Sequence, residues 1–350
     1  MVKLNPVLGI IGGGQLGSML AVAARKLKIK TIVLSEDPKA PAKNFCDEII
    51  ISEYNKLKNI EDFANKVDVV TFEFENIPFK VLEYIFKLKP VFPKPSINQI
   101  IQNRFTEKKF INNIGIKTTN YALIKNHSDI LNNEDLLPGL LKTCTLGYDG
   151  KGQFVLSDKE KASELGIKFD KEYILEKKVE LKKEISIIIT RFLNNDFAIY
   201  EPVENLHIKQ MLSRSIIPAK IDKRISEKAQ QQAKLIAEKL DYVGTMCVEY
   251  FIDEKNNLFV NEIAPRVHNS GHLTINTHNV SQFENHIRAV CNLEKVELKK
   301  IHNAEMINII GGEIKTYREK SYSKNEFFFD YAKSEIKEKR KMGHLTTLKS

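Results

Sequence analysis

The sequence predicts an α/β amino-terminal region with a parallel sheet, then an α+β region built on antiparallel strands, then a short β-rich tail. Three observations carry this expectation. Residues 7–11 form a short apolar strand, Gly12, Gly13 and Gly14 a turn, and residues 15–27 a helix with apolar Leu16, Met19, Leu20, Ala23, Ala24 and Leu27 on one face; strand, glycine turn and helix open a βαβ unit. Beyond Pro90, Pro93 and Pro95 the pattern changes to short apolar runs with few intervening helices, an antiparallel signal. Finally, 350 residues at roughly 150 per domain leave room for two or three domains and exclude one small module.

Taken in order, strands are expected at 30–34, 49–51 and 67–73, with a helix at 58–65 between the last two. A helix should run from 96 or 97 to about 112. Strands follow at 140–144, 152–156, 173–176 and 186–191, then an amphipathic helix at 227–240. Residues 245–252 and 258–263 read as a hairpin around a polar turn, 282–290 as a helix, and the tail from 306 as short strands.

A hydrophobic fraction of 42% with only 16 Gly and 11 Pro excludes collagen-like and disordered classes. Lys and Arg outnumber Asp and Glu by 54 to 45, which favours anionic partners without choosing one. The basic residues are not interleaved with aromatics, so a nucleic-acid platform is not expected. Cys46, Cys144, Cys247 and Cys291 lie far apart in sequence; they form no zinc or dithiol pattern and suit a reducing cytoplasm. No run approaches the ~18 apolar residues of a membrane span, and no signal peptide is expected.

Five motifs carry chemistry. Gly12-x-Gly14-x-x-Gly17 matches a dinucleotide fingerprint, with Glu36 ending the second strand where a ribose-binding acid would stand; the plain alternative is a tight, closely packed turn. A second glycine run, from Lys142 and Thr143 through Gly147, Tyr148, Asp149, Gly150, Lys151, Gly152 and Gln153, joins two strands. Its amides and lysines suit the phosphates of ATP better than NAD. The hairpin sets Glu249 nearly opposite Glu262, and like charges there call for a cation; with Asn261 they offer the hard oxygen ligands of Mg²⁺. Arg266, His268, Asn269, Ser270 and His272 crowd into one loop, a candidate anion pocket. The basic run at 337–341, with Lys333 upstream, reads on its own as a solvated face, and His207 alone fits a structural role as well as a ligand.

These pieces, in this order, resemble the ATP-grasp superfamily and, within it, the N5-carboxyaminoimidazole ribonucleotide synthase family. The resemblance covers nearly the whole chain and is carried by residues 11–17, 71–77, 147–153, 261–272 and 341–344. It implies a pre-ATP-grasp α/β domain over 1–97, an ATP-grasp domain over 98–298 with a mobile part at about 131–200, and a small C-terminal β domain over 299–350. It further implies a carbon–nitrogen ligase that uses ATP and Mg²⁺, or Mn²⁺, to carboxylate 5-aminoimidazole ribonucleotide with bicarbonate through carboxyphosphate. The same resemblance implies a cytoplasmic homodimer that binds neither nucleic acid nor membrane and passes its product to a separate mutase.

By motif matching, Arg104 and Lys142 would hold ATP phosphates under the 147–153 loop. Glu176, Lys177 and Val179 would take adenine, Glu184 would take the ribose hydroxyls, His207 would also bind ATP, and Glu249 and Glu262 would hold the metal with Asn261 beside them. Asp149, Lys151, Arg266, His268, Asn269 and Ser270 would surround the acceptor, with Asp149, Arg266 and His268 at the chemistry. Lys333 and Arg340 would take its 5′-phosphate, and Gln15, Leu16 and Glu73 would close the far wall. The chain departs from the family pattern at Cys144, Thr145 and Leu146, where arginine and a further glycine are usual, at Leu273 and Ile275, and at Lys339, where glycine is common. The alternatives are an NAD-dependent oxidoreductase, a non-catalytic nucleotide-binding protein, and the formate-dependent glycinamide ribonucleotide transformylase or another ATP-grasp ligase.

Overall fold

The computed structural model describes residues 2, 5–147, 152–159, 164 and 166–349. Apolar runs at the amino end build a four-stranded parallel sheet, β1 (Leu8–Ile11), β2 (Thr31–Ser35), β3 (Glu48–Ile51) and β4 (Val69–Phe72), in the order β3-β2-β1-β4. Helix Gln15–Lys26 follows the glycine turn and buries Met19, Leu20 and Ala23 against Phe283 and Ile287 of helix Gln282–Val290. The first sheet is thereby fixed to the middle of the chain. Its other face is covered by helices Leu57–Lys66 and Phe79–Leu88 through Ile60, Phe63, Leu82 and Ile85.

The single helix expected over 96–112 is two helices, Pro95–Ile101 and Arg104–Asn113. Asn103 makes the break: its side chain accepts from Phe105 N at 2.9 Å and Thr106 N at 3.3 Å, an N-cap that restarts the helix. Arg104 therefore begins a new helix, with its backbone amide donating to Cys144 O.

A small antiparallel sheet follows, β5 (Tyr121–Ile124), β6 (Gly139–Thr143), β7 (Gln153–Leu156) and β8 (Tyr173–Lys177), ordered β5-β8-β6-β7 around Ile124, Leu141 and Leu175. The larger antiparallel sheet contains β9 (Leu181–Arg191), β10 (Phe197–Ile199), β11 (Val203–Ile208), β12 (Met211–Ile217), β13 (Gly244–Asp253) and β14 (Leu258–Ala264). It continues through the tail as β15 (Asn303–Ile310), β16 (Glu326–Asp330) and β17 (Lys341–Lys349), because β12 pairs with β15. Helix Lys223–Lys239, capped by Asp222, lays Ala229, Ala233, Ile236 and Ala237 against this sheet. Sequence reasoning missed β11 and β12 because their two-residue turn is Lys209-Gln210. Both residues have positive φ, 50° and 65°, without the Asn-Gly or Gly-Gly signal such hairpin turns usually carry. Among the described residues no helix is long and apolar enough to cross a membrane.

The glycine turn is tightest at position 17, where a Cβ would lie 2.4 Å from the Gly12 carbonyl oxygen. Backbone cannot yield as a side-chain tip can, so Gly17→Ala should lose about 1–3 kcal/mol of stability. Urea denaturation checks this, and an unchanged midpoint would contradict the packing described.

Candidate active site

The three sheets enclose one cleft of about 970 Å³. Its floor is the β13–β14 hairpin, where Glu249 and Glu262 are paired directly across the ladder. The register then shifts, so that Tyr250 pairs with Val260 and Asn261 is the extra residue of a β-bulge. A bulge re-aims side chains that would otherwise alternate between faces, and here consecutive Asn261 and Glu262 both line the cleft.

Two like charges at this spacing require compensation, and the helix restarted at Asn103 supplies it. Arg104 Nη1 donates to Glu262 Oε2 at 2.7 Å, and its Nη2 to Gly147 O at 3.0 Å. Burial would raise the Glu262 carboxyl, but the Arg104 guanidinium outweighs it and holds it below the usual carboxylate range. Glu249 moves the opposite way, raised by burial and then by the charge of Glu262. His268 Nε2 lies 3.1 Å from Glu249 Oε1. Burial, then Arg266, pushes His268 down to about 3, so this imidazole is neutral near pH 7.

On one side of the acid pair stand Lys142, Gln153, Val179, Glu184 and His207, all in the cleft wall. Lys142 Nζ donates to Glu176 Oε2 at 3.0 Å. His207 Nδ1 lies 2.6 Å from Glu184 Oε2, and that contact raises the imidazole pKa against the opposing effect of burial. On the other side, Arg266 Nε donates to Glu75 Oε2 at 2.5 Å, and Asn269 Oδ1 accepts from Asn308 Nδ2 at 2.6 Å. Gln15 and Leu16 complete that wall, with Lys333 Nζ donating to Gln15 Oε1 at 3.1 Å and Gln15 Nε2 lying 2.9 Å from His272 Nε2.

Several residues singled out by sequence stand behind or beside the wall. Glu176 is buried with its carboxylate turned toward lysines, and Lys177 Nζ donates to Asp135 O. Ser270 is fully buried, its hydroxyl 2.9 Å from His268 Nδ1, where it sets the ring orientation. Gly152 O accepts from Thr143 N at the root of the glycine loop. Arg340 Nη1 donates to Glu335 O at the surface, and Lys339 beside it has φ 62°, the left-handed region that suits the glycine common there. Tyr148, Asp149, Gly150 and Lys151 lie outside the described residues.

Sequence reasoning missed the roles of Glu75, Lys341 and Lys108. Glu75 was legible as two residues from Glu73, and Lys108 as four residues after Arg104 on one helix face. Lys341, in the cleft wall, opens one of the segments that carry the resemblance, 341–344, but no role was assigned to it.

The first glycine turn does not bind a dinucleotide. Glu73 reaches into it from the end of β4, accepting from Gly14 N and Gly17 N at 2.5 Å each. The amides that a pyrophosphate would need are already taken by an internal carboxylate. A Cβ at Gly12, whose φ is 99°, would sit 2.4 Å from Glu73 Cγ, so that glycine is there to admit Glu73. Glu36 accepts from Tyr54 N at 3.0 Å, within the same domain.

The fold and the cleft together define an ATP-grasp ligase. The family model for the ATP-grasp domain matches residues 109–283, that for the ribonucleotide synthetase preATP-grasp domain residues 6–102, and that for the phosphoribosylaminoimidazole carboxylase C-terminal domain residues 304–350. N5-carboxyaminoimidazole ribonucleotide synthase of Bacillus subtilis (strain 168) is 39% identical over 348 residues, spanning 98% of this chain and 91% of its own. The Brucella melitensis biotype 1 protein of the same name is 37% identical over 99% of this chain and 98% of its own. An N5-carboxyaminoimidazole ribonucleotide synthetase solved with ADP superposes with a TM-score of 0.94 at 38% identity, covering 99% of this chain and 94% of that one. The Aspergillus clavatus enzyme, solved with ADP and 5-aminoimidazole ribonucleotide, superposes at 0.91 with 28% identity, covering 98% and 94%. The chain belongs to the N5-carboxyaminoimidazole ribonucleotide synthase family.

The oxidoreductase alternative can be checked directly. Titration with NADH, followed by its fluorescence, should show no saturable binding up to about 1 mM, the range of the weakest specific ligands. Saturation below that would mean that Glu73 vacates the turn.

Proposed function

We propose that this chain catalyses the ATP-dependent carboxylation of 5-aminoimidazole ribonucleotide to N5-carboxyaminoimidazole ribonucleotide, in purine biosynthesis. The observation that carries the reading is the opposed Glu249–Glu262 pair, set in one cleft between Arg104 and Lys142 on one side and Arg266, His268 and Asn269 on the other. Bicarbonate oxygen attacks the γ-phosphorus of ATP and ADP leaves, giving carboxyphosphate; this releases phosphate and CO₂, and the acceptor amine nitrogen bonds to the CO₂ carbon while its displaced N–H proton passes to the released phosphate. Phosphoryl transfer of this kind rests on positioning and charge neutralisation.

The residues fit a hard divalent cation. Asn261 Oδ1 is buried without a hydrogen-bond partner among the described residues, beside two carboxylates, an oxygen donor set that suits Mg²⁺, with Mn²⁺ as substitute. Glu249 and Glu262 would hold the metal, which supplies charge neutralisation to the phosphates. Arg104 and Lys142 take the phosphates, with Gly147 and Gln153 in the same cleft wall. The backbone of Glu176, Lys177 and Val179 faces adenine, with Glu184 and His207 at the ribose. Gln15, Leu16, Glu73, Arg266, His268 and Asn269 form the acceptor pocket, Ser270 orients His268 from behind it, and Lys333 and Arg340 take the 5′-phosphate. The neutral His268 accepts or donates hydrogen bonds near the acceptor amine without adding a charge. The protein works as a cytoplasmic homodimer and hands its product to a separate mutase.

With Mg²⁺, ATP and bicarbonate, ADP release should depend on 5-aminoimidazole ribonucleotide, and formate with glycinamide ribonucleotide should not replace the natural pair. Glu262→Ala should lower that turnover at least about 100-fold, the scale of losing one transition-state charge contact, while the circular dichroism spectrum shows the fold retained. Normal turnover in the variant would remove the metal assignment.

Arg340→Ala should raise the acceptor KM with little change in the ATP KM, because a lost phosphate contact is mostly uniform binding. An unchanged acceptor KM would return Arg340 to the solvated surface.

A further inference from the structure

Among the described residues, one fully buried lysine is assigned by no motif. Lys108, on helix Arg104–Asn113, is 1% exposed and does not line the cleft. Its ammonium donates to Asn261 O at 3.1 Å and stands 3.4 Å from Glu176 Oε2. The same carboxylate oxygen accepts from Lys142 Nζ at 3.0 Å and from the Thr119 hydroxyl at 3.4 Å. Two ammoniums therefore converge on one oxygen of a residue that is only 2% exposed. They are not equivalent, since Lys142 lines the cleft and Lys108 lies behind it. Only Lys142 can exchange its carboxylate for a ligand.

We propose that Lys108 is a positioning residue for nucleotide binding, the standing counter-charge that keeps Glu176 paired when Lys142 turns from it to a phosphate of ATP. Without Lys108 that exchange would strand a buried carboxylate, which is strongly unfavourable, and Lys142 would stay on Glu176. Lys108 also fixes the Asn261 carbonyl in β14, so the Glu176 strand of the small sheet and the acid-pair strand of the large sheet share one anchor. The inference rests on the placement of ATP phosphates at Lys142 proposed above.

The test measures ATP affinity by calorimetry with Mg²⁺ for the wild-type protein and for Lys142→Ala, Lys108→Met, Glu176→Gln and the double variant Lys108→Met/Glu176→Gln. Lys108→Met should weaken ATP at least about tenfold, the scale of an uncompensated buried charge, while leaving the acceptor KM within about twofold. Removing the carboxylate as well should restore binding to within about threefold of Glu176→Gln alone, since no charge is then stranded. A merely structural lysine would lower the thermal midpoint of Lys108→Met and leave the ATP affinity of the folded variant unchanged. A double variant about tenfold weaker than Glu176→Gln would overturn the proposal, and that comparison holds even where Lys108→Met alone does not fold. Unchanged ATP affinity in Lys142→Ala would instead sink the phosphate placement on which the proposal stands.

Discussion

Glu249 and Glu262 face one another across an antiparallel ladder, an arrangement that is unfavourable unless cations stand close by. Much of the surrounding structure is arranged to supply them. Asn103 breaks a helix that the apolar pattern alone would have carried through, and the break puts Arg104 at a helix start with its guanidinium on Glu262. The bulge at Asn261 then turns a second oxygen donor toward the same point. The two carboxyls respond oppositely: Glu262 stays ionised against Arg104, and Glu249, without an arginine, is raised by burial and by its neighbour. A divalent cation between the two carboxyls would supply the positive charge that Glu249 lacks.

The amino-terminal glycine turn shows how one sequence pattern can serve two physical ends. In a dinucleotide-binding turn the glycines let a ligand's phosphates approach the backbone amides. Here they let Glu73 approach instead, and the carboxylate takes the Gly14 and Gly17 amides. Burial raises Glu73, while those two amides and then Arg266 and Lys333 act against that rise. Glu73 is thus tied by hydrogen bonds to the turn and electrostatically to the residues opposite. The turn becomes a rigid wall of the cleft, and Gln15, the first residue after it, is held by Lys333 and His272.

What the sequence made legible follows from how local each signal is. The parallel sheet, the helix at Gln282–Val290 and the hairpin that opposes Glu249 to Glu262 rest on periodicity and turn length, which act within a dozen residues. The break at Asn103 was missed because an N-cap competes with a continuing helix only through a side chain the apolar pattern does not weigh. The strands β11 and β12 were missed because Lys209 and Gln210 occupy a turn that glycine or asparagine would announce. At the site, the resemblance singled out Arg104, Lys142 and Glu262, and all three line the cleft. It could not find that the Glu176 side chain points to two lysines rather than into the cleft, because that depends on packing between strands far apart in sequence.

The carboxyl-terminal strands give the basic tail its meaning. Taken by itself, a run of lysine and arginine is usually a solvated face. In the folded chain β15 joins the large sheet through β12, and β17 lies along β15 with His344 opposite Asn308. That register brings Lys341 to the cleft wall and lets its carbonyl accept from Lys333, whose ammonium also reaches Gln15. Asn308 in turn holds Asn269, and Tyr331 is bonded to His344 and packed near His272. This side of the cleft is therefore assembled from the first turn of the chain, the loop after the acid pair and the last strands, segments far apart in sequence. A charge run on such a strand acts at a defined point, and ladder pairing rather than charge density decides which of its residues can reach a ligand.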